Sequence, residues 1–382
     1  MTRWYNKTVN KSMKILLFST AYLPHLGGAE LAVKEIADRL AGVEFDLITA
    51  KLKRGLPDFE RIGNMNVYRI GAGNPFLDKP LLPNLGFIKA VNFHKKKKYD
   101  LVHGVMASQG SAAAYLFKLF YPKVPFVLTL QEGDLGRNSP FDRFWQRRII
   151  KKADAITAIS GYLGEFAKRY NKKAPLHIVP NGVDLKMFET QSQRSEKKDI
   201  KKIITVSRLV RKNGIDVLIR AVKELKLNDC RLQIVGYGEE RKKLEKLARK
   251  LGLEDRVDFF ANATHDEIVP YLANADVFVR PSRSEGLGSA FLEAMAAGIP
   301  IIGTKVGGIP DFLEDGKTGL FSKADDPEDL AEKMGMVLGD ETLSRKLSEN
   351  GRKLVEERYN WDRIAALMKG VYEKTVNNHS GL

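Results

Sequence analysis

Short apolar runs alternate with amphipathic segments along nearly all of this chain, and that alternation leaves few folds open. A run of four to six aliphatic residues reads as a strand buried on both faces, and an amphipathic helix between two such strands covers the sheet. Repeated, this is the βαβ pattern of a parallel α/β sheet. In the first half the runs are 15–19, 45–49, 67–70, 101–105, 126–130, 155–159 and 177–179, with helical stretches at 30–40 and 111–120. A polar, charged stretch over 189–202 has neither periodicity and reads as a linker. The pattern then restarts with strands at 203–207, 231–235, 257–260, 277–280 and 300–304. Between them come helices at 217–225, 241–251, 266–272 and 290–297. The expectation is two Rossmann-like α/β domains facing each other across a cleft. The first is 1–188, completed by a closing helix over 361–382, and the second is 199–360. At 382 residues the chain is long enough for two cores.

Composition narrows the function classes. Cys230 is the only cysteine, which excludes an intrachain disulfide and a cysteine-based metal cluster and fits a reducing, cytoplasmic setting. The apolar run at 15–18 is too short for a signal-peptide core or a membrane span. The net charge of +16 is unevenly placed, since residues 1–190 hold 30 Lys and Arg against 16 Asp and Glu. A basic first half calls for an anionic partner such as phospholipid, a pyrophosphate-linked lipid or nucleic acid. Helix-turn-helix spacing, zinc ligands and an RNA-motif aromatic run are missing, so nucleic acid is the least expected of these.

Several motif candidates fail. Gly316-Lys317-Thr318 mimics the end of a P-loop, but Asp311 stands where its first glycine should be. Gly236-Tyr237-Gly238 opens like a dinucleotide fingerprint, yet Arg241 occupies the third glycine position, so it reads as a tight turn. The six histidines show no metal-ligand pairing.

The segment 280–295 carries the strongest chemistry. A strand ends near Arg280, a glycine-rich polar loop follows, and a helix begins near Ser289. Small residues leave the backbone N–H groups of Gly288, Ser289 and Ala290 open at the positive end of that helix, a ready site for a diphosphate. Glu285 lies in the loop, free to accept hydrogen bonds from hydroxyls beside the phosphates. Glu293 sits about one turn into the helix, where it can hold a ribose diol; taken alone, it is equally an ordinary helix-surface acid.

The spacing Glu285-x7-Glu293, embedded in PSRSEGLGSAFLEAMAAGIPIIGTKVGGIPDFL, resembles the donor-site signature of retaining glycosyltransferase family 4, whose members have the GT-B fold. Gly27-Gly28-Ala29-Glu30 resembles the family's N-terminal Gly-Gly loop near the donor phosphates. Val179-Pro180-Asn181-Gly182-Val183-Asp184 is similar to its inter-domain motif. Ser207-Arg208-Leu209 with Gly214-Ile215-Asp216 is similar to its Gly-Arg-Leu…Lys-Gly motif, and Asn360-Trp361 to the segment that crosses back onto the first domain.

The resemblance implies a hexosyltransferase that uses a UDP- or GDP-linked sugar, with Glu285, Arg208 and Lys212 as catalytic residues. Donor binding would fall to Gly28, Arg208, Lys212, Gly286, Leu287, Gly288, Ser289, Ala290 and Glu293. It implies retention at the anomeric carbon, no cofactor and no metal, with a glycan or lipid-linked acceptor in cell-surface polysaccharide or glycolipid synthesis. Two places depart from the family. Asn213 stands where the second lysine belongs, with Lys212 one residue earlier, and Gln131 stands where a strand-end histidine often faces the donor sugar. An amide cannot act as a base, so Glu132, Asp134 and His103 are the other candidates for the acceptor and sugar region. Other GT-B chemistries, a nucleotide-sugar epimerase or a sugar phosphorylase, remain alternatives.

Two further segments, 81–98 and 141–152, set apolar and aromatic residues beside lysines and arginines, as interfacial helices do. The same pattern fits helices packed on a sheet with their charged faces in water. An anionic membrane surface is the expected partner, which would place the protein on the inner face of the plasma membrane.

Overall fold

The computed structural model describes residues 12–25, 27–131, 140–189, 200–227, 229–261 and 265–380. The chain divides into two compact units. One comprises Met1–Ala158, Gly164–Val179 and Ala365–Leu382, the other Ile159–Leu163 and Pro180–Ile364.

The first unit opens with β1 (Met13–Phe18), α1 (Gly28–Arg39), β2 (Val43–Ala50), β3 (Phe59–Ile62), β4 (Met65–Ile70) and α2 (Pro75–Lys97). It continues through β5 (Leu101–Val105), α3 (Gln109–Phe120), β6 (Phe126–Leu130), α4 (Pro140–Lys152), β7 (Ala155–Ala158), α5 (Gly161–Lys168) and β8 (Leu176–Ile178). Among the described residues its sheet runs in the order β3-β4-β2-β1-β5-β6-β7-β8. All neighbours are parallel except β3, which pairs antiparallel with β4 (Phe59 opposite Tyr68) and escapes a search for apolar runs because it reads Phe-Glu-Arg-Ile. Ile15, Leu16, Leu17 and Phe18 are all essentially inaccessible, as expected for a strand covered on both faces.

The second unit begins with α6 (Lys186–Glu189), β9 (Lys201–Val206), α7 (Ile215–Glu224), β10 (Cys230–Val235), α8 (Arg241–Lys250) and β11 (Val257–Phe260). Then come α9 (His265–Ala273), β12 (Val277–Arg280), α10 (Ser289–Ala296), β13 (Ile301–Thr304), β14 (Leu320–Ser322), α11 (Pro327–Gly339), α12 (Glu341–Arg358) and α13 (Trp361–Ser380). From Ala365 onward α13 belongs to the first unit. The second sheet is parallel throughout, in the order β11-β10-β9-β12-β13-β14.

The stretch read as a linker over 189–202 is shorter than that at both ends. α6 runs through Glu189 and β9 begins at Lys201, because parallel pairing with β10 (Lys201 opposite Cys230) recruits two lysines that no apolar pattern marks. Its interior, 190–199, lies outside the described residues. Helix starts follow local chemistry. The Asn74 side chain accepts from the Phe76 N–H ahead of Pro75 at the start of α2, and the Asp326 side chain accepts from the Asp329 N–H ahead of Pro327 in α11. Among the described residues, no helix is long and apolar enough to cross a membrane.

Candidate functional site

In an open parallel sheet, a ligand crevice forms at the carboxyl ends of the two strands where the order reverses. In the second unit that point lies between β9 and β12, which pair directly (Val277 opposite Ile203). The segment carrying Arg208 leaves the end of β9, and the loop carrying Glu285 leaves the end of β12. Topology alone therefore puts the two motifs side by side.

The loop is held from several directions. Gly288 caps α10 in the left-handed region (φ 94°), where a Cβ would stand 2.8 Å from the Phe291 ring and 2.9 Å from Nη2 of Arg280. The N–H groups of Ser289 and Ala290 fall in the first turn of α10, which has no intrahelical acceptors for them. Leu287 is buried, so it can offer a ligand only its backbone. Below the loop, Gly307 approaches so closely (φ 54°) that a Cβ would lie 1.8 Å from the Glu285 carbonyl oxygen, and the Gly308 N–H donates to that oxygen at 3.3 Å.

Glu285, expected to be free for ligand hydroxyls, is partly engaged. Arg280 donates from Nη2 to Oε2 at 2.6 Å, and the Gly286 N–H donates to Oε1 at 3.1 Å. A carboxylate offers about four acceptor positions, so these bonds orient the group and leave capacity for a ligand. Arg280 itself is buried. Its guanidinium lies 4.8 Å above the Phe291 ring, and its Nη1 donates to the Val206 carbonyl at 3.4 Å. One guanidinium thus touches both Glu285 and the end of the strand that leads into Arg208.

A second arginine ties the neighbouring motif to the same loop. Arg283 grips both carboxylate oxygens of Asp216 at 2.8 Å, reaches Asp325 at 2.6 Å, and donates to the Arg211 carbonyl at 2.6 Å. Burial works against ionisation of Asp216, but the Arg283 bonds outweigh it and hold its carboxyl below the usual range. Gly214 (φ 69°) comes within contact of Pro281, where a Cβ would be 2.0 Å from the carbonyl oxygen.

Arg208 is exposed, and its side chain forms no ion pair among the described residues. Asn213, in the place of the family lysine, is buried and donates from Nδ2 to the Arg208 carbonyl at 2.7 Å. It braces the arginine's backbone rather than supplying charge. Lys212 is half-buried beside it, and its carbonyl accepts the Arg283 N–H at 2.7 Å. Glu293 is half-buried on α10. Gly236 and Gly238 make the expected tight turn, lying against the Ser207 and Leu209 carbonyls.

The first unit's order reverses between β1 and β5. There Gly28 opens α1, and Glu30, one turn on, folds its carboxylate back against Gly27; burial raises its pKa despite these backbone hydrogen bonds. Thr20 bonds the Ser108 hydroxyl at 2.9 Å and accepts the Gly110 N–H at 3.0 Å, joining the two loops.

His103, a candidate for the acceptor and sugar region, lies in the middle of β5 and is buried. Its Nδ1 pairs with the Tyr372 hydroxyl at 2.8 Å and its Nε2 with Thr129 at 2.7 Å, and Thr129 continues to Thr157 at 2.5 Å. Burial pushes its pKa down to about 3, so the ring is neutral at working pH. Gln131, half-buried just past β6, lines a cavity of about 20 Å³ with His103, Thr129 and Tyr372, room for about one water. Glu132 and Asp134 lie outside the described residues.

Arg280, Arg283 and the Gly307-Gly308 pair were not singled out from the sequence. The signals existed: an arginine closing an otherwise apolar strand, and two adjacent glycines following β13. The remaining family motifs meet inside the second unit. The Val183 N–H donates to the Tyr359 carbonyl at 2.7 Å, and Gly182 packs against the Trp361 ring. Among the described residues, no three His, Cys, Asp or Glu are placed to hold a metal ion.

Comparison with known proteins agrees with this architecture. Residues 26–187 match Glycosyltransferase Family 4 and residues 187–354 match Glycosyl transferases group 1. The GDP-mannose-dependent alpha-(1-6)-phosphatidylinositol monomannoside mannosyltransferase of Mycobacterium tuberculosis is 33% identical over 379 residues, covering 92% of this chain and 96% of that protein. An uncharacterised glycosyltransferase of Methanocaldococcus jannaschii is 28% identical, covering 95% and 98%. Among solved structures, sucrose-phosphate synthase from Thermosynechococcus elongatus superposes with a TM-score of 0.82 at 24% identity, covering 95% and 98%. Two parallel-sheet units, each with loops gathered at its switch point, share the GT-B architecture, and the family matches make the chain a glycosyltransferase. The chain belongs to glycosyltransferase family 4 and carries that family's group 1 module.

Proposed function

We propose that the protein transfers a hexosyl group from a nucleoside-diphosphate sugar, with retention at the anomeric carbon, to a glycan or lipid-linked acceptor in polysaccharide or glycolipid synthesis. The observation that carries this reading is the Glu285 carboxylate, pre-oriented by Arg280 and set ahead of the open start of α10, beside the strand end that leads to Arg208. The diphosphate would rest on the Ser289 and Ala290 N–H groups, and Glu285 would take the sugar hydroxyls. Arg208 and Lys212 would neutralise the departing diphosphate, so no metal is required for that task. The acceptor oxygen bonds to the anomeric carbon on the face where the carbon–oxygen bond to the diphosphate breaks, and its proton passes to a diphosphate oxygen. The products are the retained glycoside and the nucleoside diphosphate. The buried, neutral His103 has no part as a base, in keeping with proton transfer to the leaving group.

The mannosyltransferase relative favours GDP-mannose as the first donor to try. Thermal unfolding with GDP, UDP and their sugar conjugates tests the binding step, because a ligand that binds only the folded chain raises Tm. NMR of the product's anomeric proton tests retention, and excess EDTA tests metal independence. No Tm rise with any nucleotide sugar, or a product of inverted configuration, overturns the reading.

A further inference from the structure

The turn Gly236-Tyr237-Gly238 follows β10, the neighbour of β9 in the second sheet. It rides directly on the segment that carries Arg208. A Cβ at Gly236 would lie 2.0 Å from the Ser207 carbonyl oxygen, and one at Gly238 would lie 2.2 Å from that of Leu209. The Leu209 N–H donates to the Tyr237 carbonyl at 2.7 Å, and the Glu240 N–H donates to the Leu209 carbonyl at 3.0 Å. Side-chain-free residues on either side permit this approach, so the Tyr237 backbone is fixed against the residues that flank Arg208. Its ring is not packed away. Tyr237 is 56% exposed, whereas Phe260, at the end of β11, meets the Tyr271 ring at 5.0 Å, and Phe259 lies 5.8 Å from the Arg241 guanidinium. A lone exposed aromatic is ordinary on a protein surface; the place of this one is not.

The direction of the site decides what lies over that ring. Within the β12–α10 loop, Glu285 rests on the β13 side, its carbonyl against Gly307 and Gly308. Arg208 stands on the other side, past the end of β9. A sugar at Glu285 and a diphosphate between the start of α10 and Arg208 therefore send the nucleoside away from β13, over the ends of β9 and β10. Tyr237 is two strands from the β12 loop, about 10 Å, a distance that a ribose and its base cover beyond a diphosphate. We infer that the Tyr237 ring is the platform on which the donor's nucleobase stacks, an assignment that rests on the donor reading above. Every base presents a π face, so an aromatic ring supplies affinity without reading the base's edge. A tyrosine on a fixed backbone has only two torsions left to order when the base arrives.

The test separates the base from the diphosphate. GDP, UDP and inorganic pyrophosphate are each titrated calorimetrically into the full chain, into Tyr237→Ala and into Tyr237→Phe. Tyr237→Ala should weaken whichever nucleoside diphosphate the wild type binds about 10- to 100-fold, and should bind pyrophosphate as tightly as wild type. Tyr237→Phe keeps the ring and should match wild type throughout. Both variants should keep the wild-type Tm without ligand, since the altered side chain faces solvent. An alanine variant with unchanged nucleotide affinity overturns the inference. So does an equal loss of pyrophosphate binding, which would mean a disturbed loop, or a phenylalanine variant as weak as the alanine one, which would assign the effect to the hydroxyl. Wild-type protein that binds no nucleoside diphosphate fails the donor reading, and the stacking assignment falls with it. Nucleotide binding that the alanine substitution leaves intact sinks stacking alone.

Discussion

The switch-point loops of the second unit are held by ions, whereas the strands behind the corresponding point of the first are joined by neutral groups. Arg280 and Arg283 clamp Glu285, Asp216 and Asp325, fixing the loop after β12 before any ligand arrives. In the first unit an imidazole and hydroxyls, Tyr372–His103–Thr129–Thr157, span three strands and the last helix without a formal charge. A fixed carboxylate suits a site that must meet sugar hydroxyls beside a diphosphate, because pre-oriented groups need no rearrangement during reaction. A neutral network fixes geometry without adding a competing charge.

The contrast breaks first at Glu285. Glu285→Gln keeps an acceptor for Arg280 but removes the charge, and kcat should fall about 10²- to 10³-fold with the fold intact by circular dichroism; near wild-type turnover would mean the carboxylate is only a loop brace. Arg280→Met strands a mostly buried carboxylate. It should cost about 3 kcal/mol in urea unfolding, with partial recovery in Arg280→Lys. Unchanged stability there would show that the pair is not holding the loop. Gly307→Ala drives a Cβ into the Glu285 carbonyl and should cost about 1–3 kcal/mol, with a higher KM for the donor than wild type.

At pH 7 the neutral network shows the least, and its effect grows only as the pH is lowered. His103 has a folded pKa below its unfolded value of 6.5, so below pH 6.5 the unfolded chain binds a proton that the fold refuses. Stability is therefore fully present above pH 6.5 and falls as pH drops towards about 3, by up to about 1.4 kcal/mol per pH unit. Urea midpoints measured from pH 7 to 4 should fall less steeply in His103→Gln than in wild type. Equal slopes would place His103 in contact with solvent.

Much of this was legible beforehand. The apolar runs located most strands to within two residues, because a strand buried on both faces must be apolar at nearly every position. The β12–α10 loop was legible because its glycines and the helix start are local chemistry. β3 was not, since an edge strand paired on one side needs no apolar run, and the two lysines of β9 were hidden for a similar reason. Glu285 was found as a residue but not as half of an ion pair.

The order of apolar runs, the glycine-rich loop and the acid spacing therefore settled the two parallel sheets and the position of the candidate site, since each depends on residues close in the chain. Partnership was decided only by the folded structure. Arg283 meets Asp216 across 67 residues and His103 meets Tyr372 across 269. Directional bonds between side chains so far apart depend on where the sheet delivers them, and no periodicity in the chain encodes that.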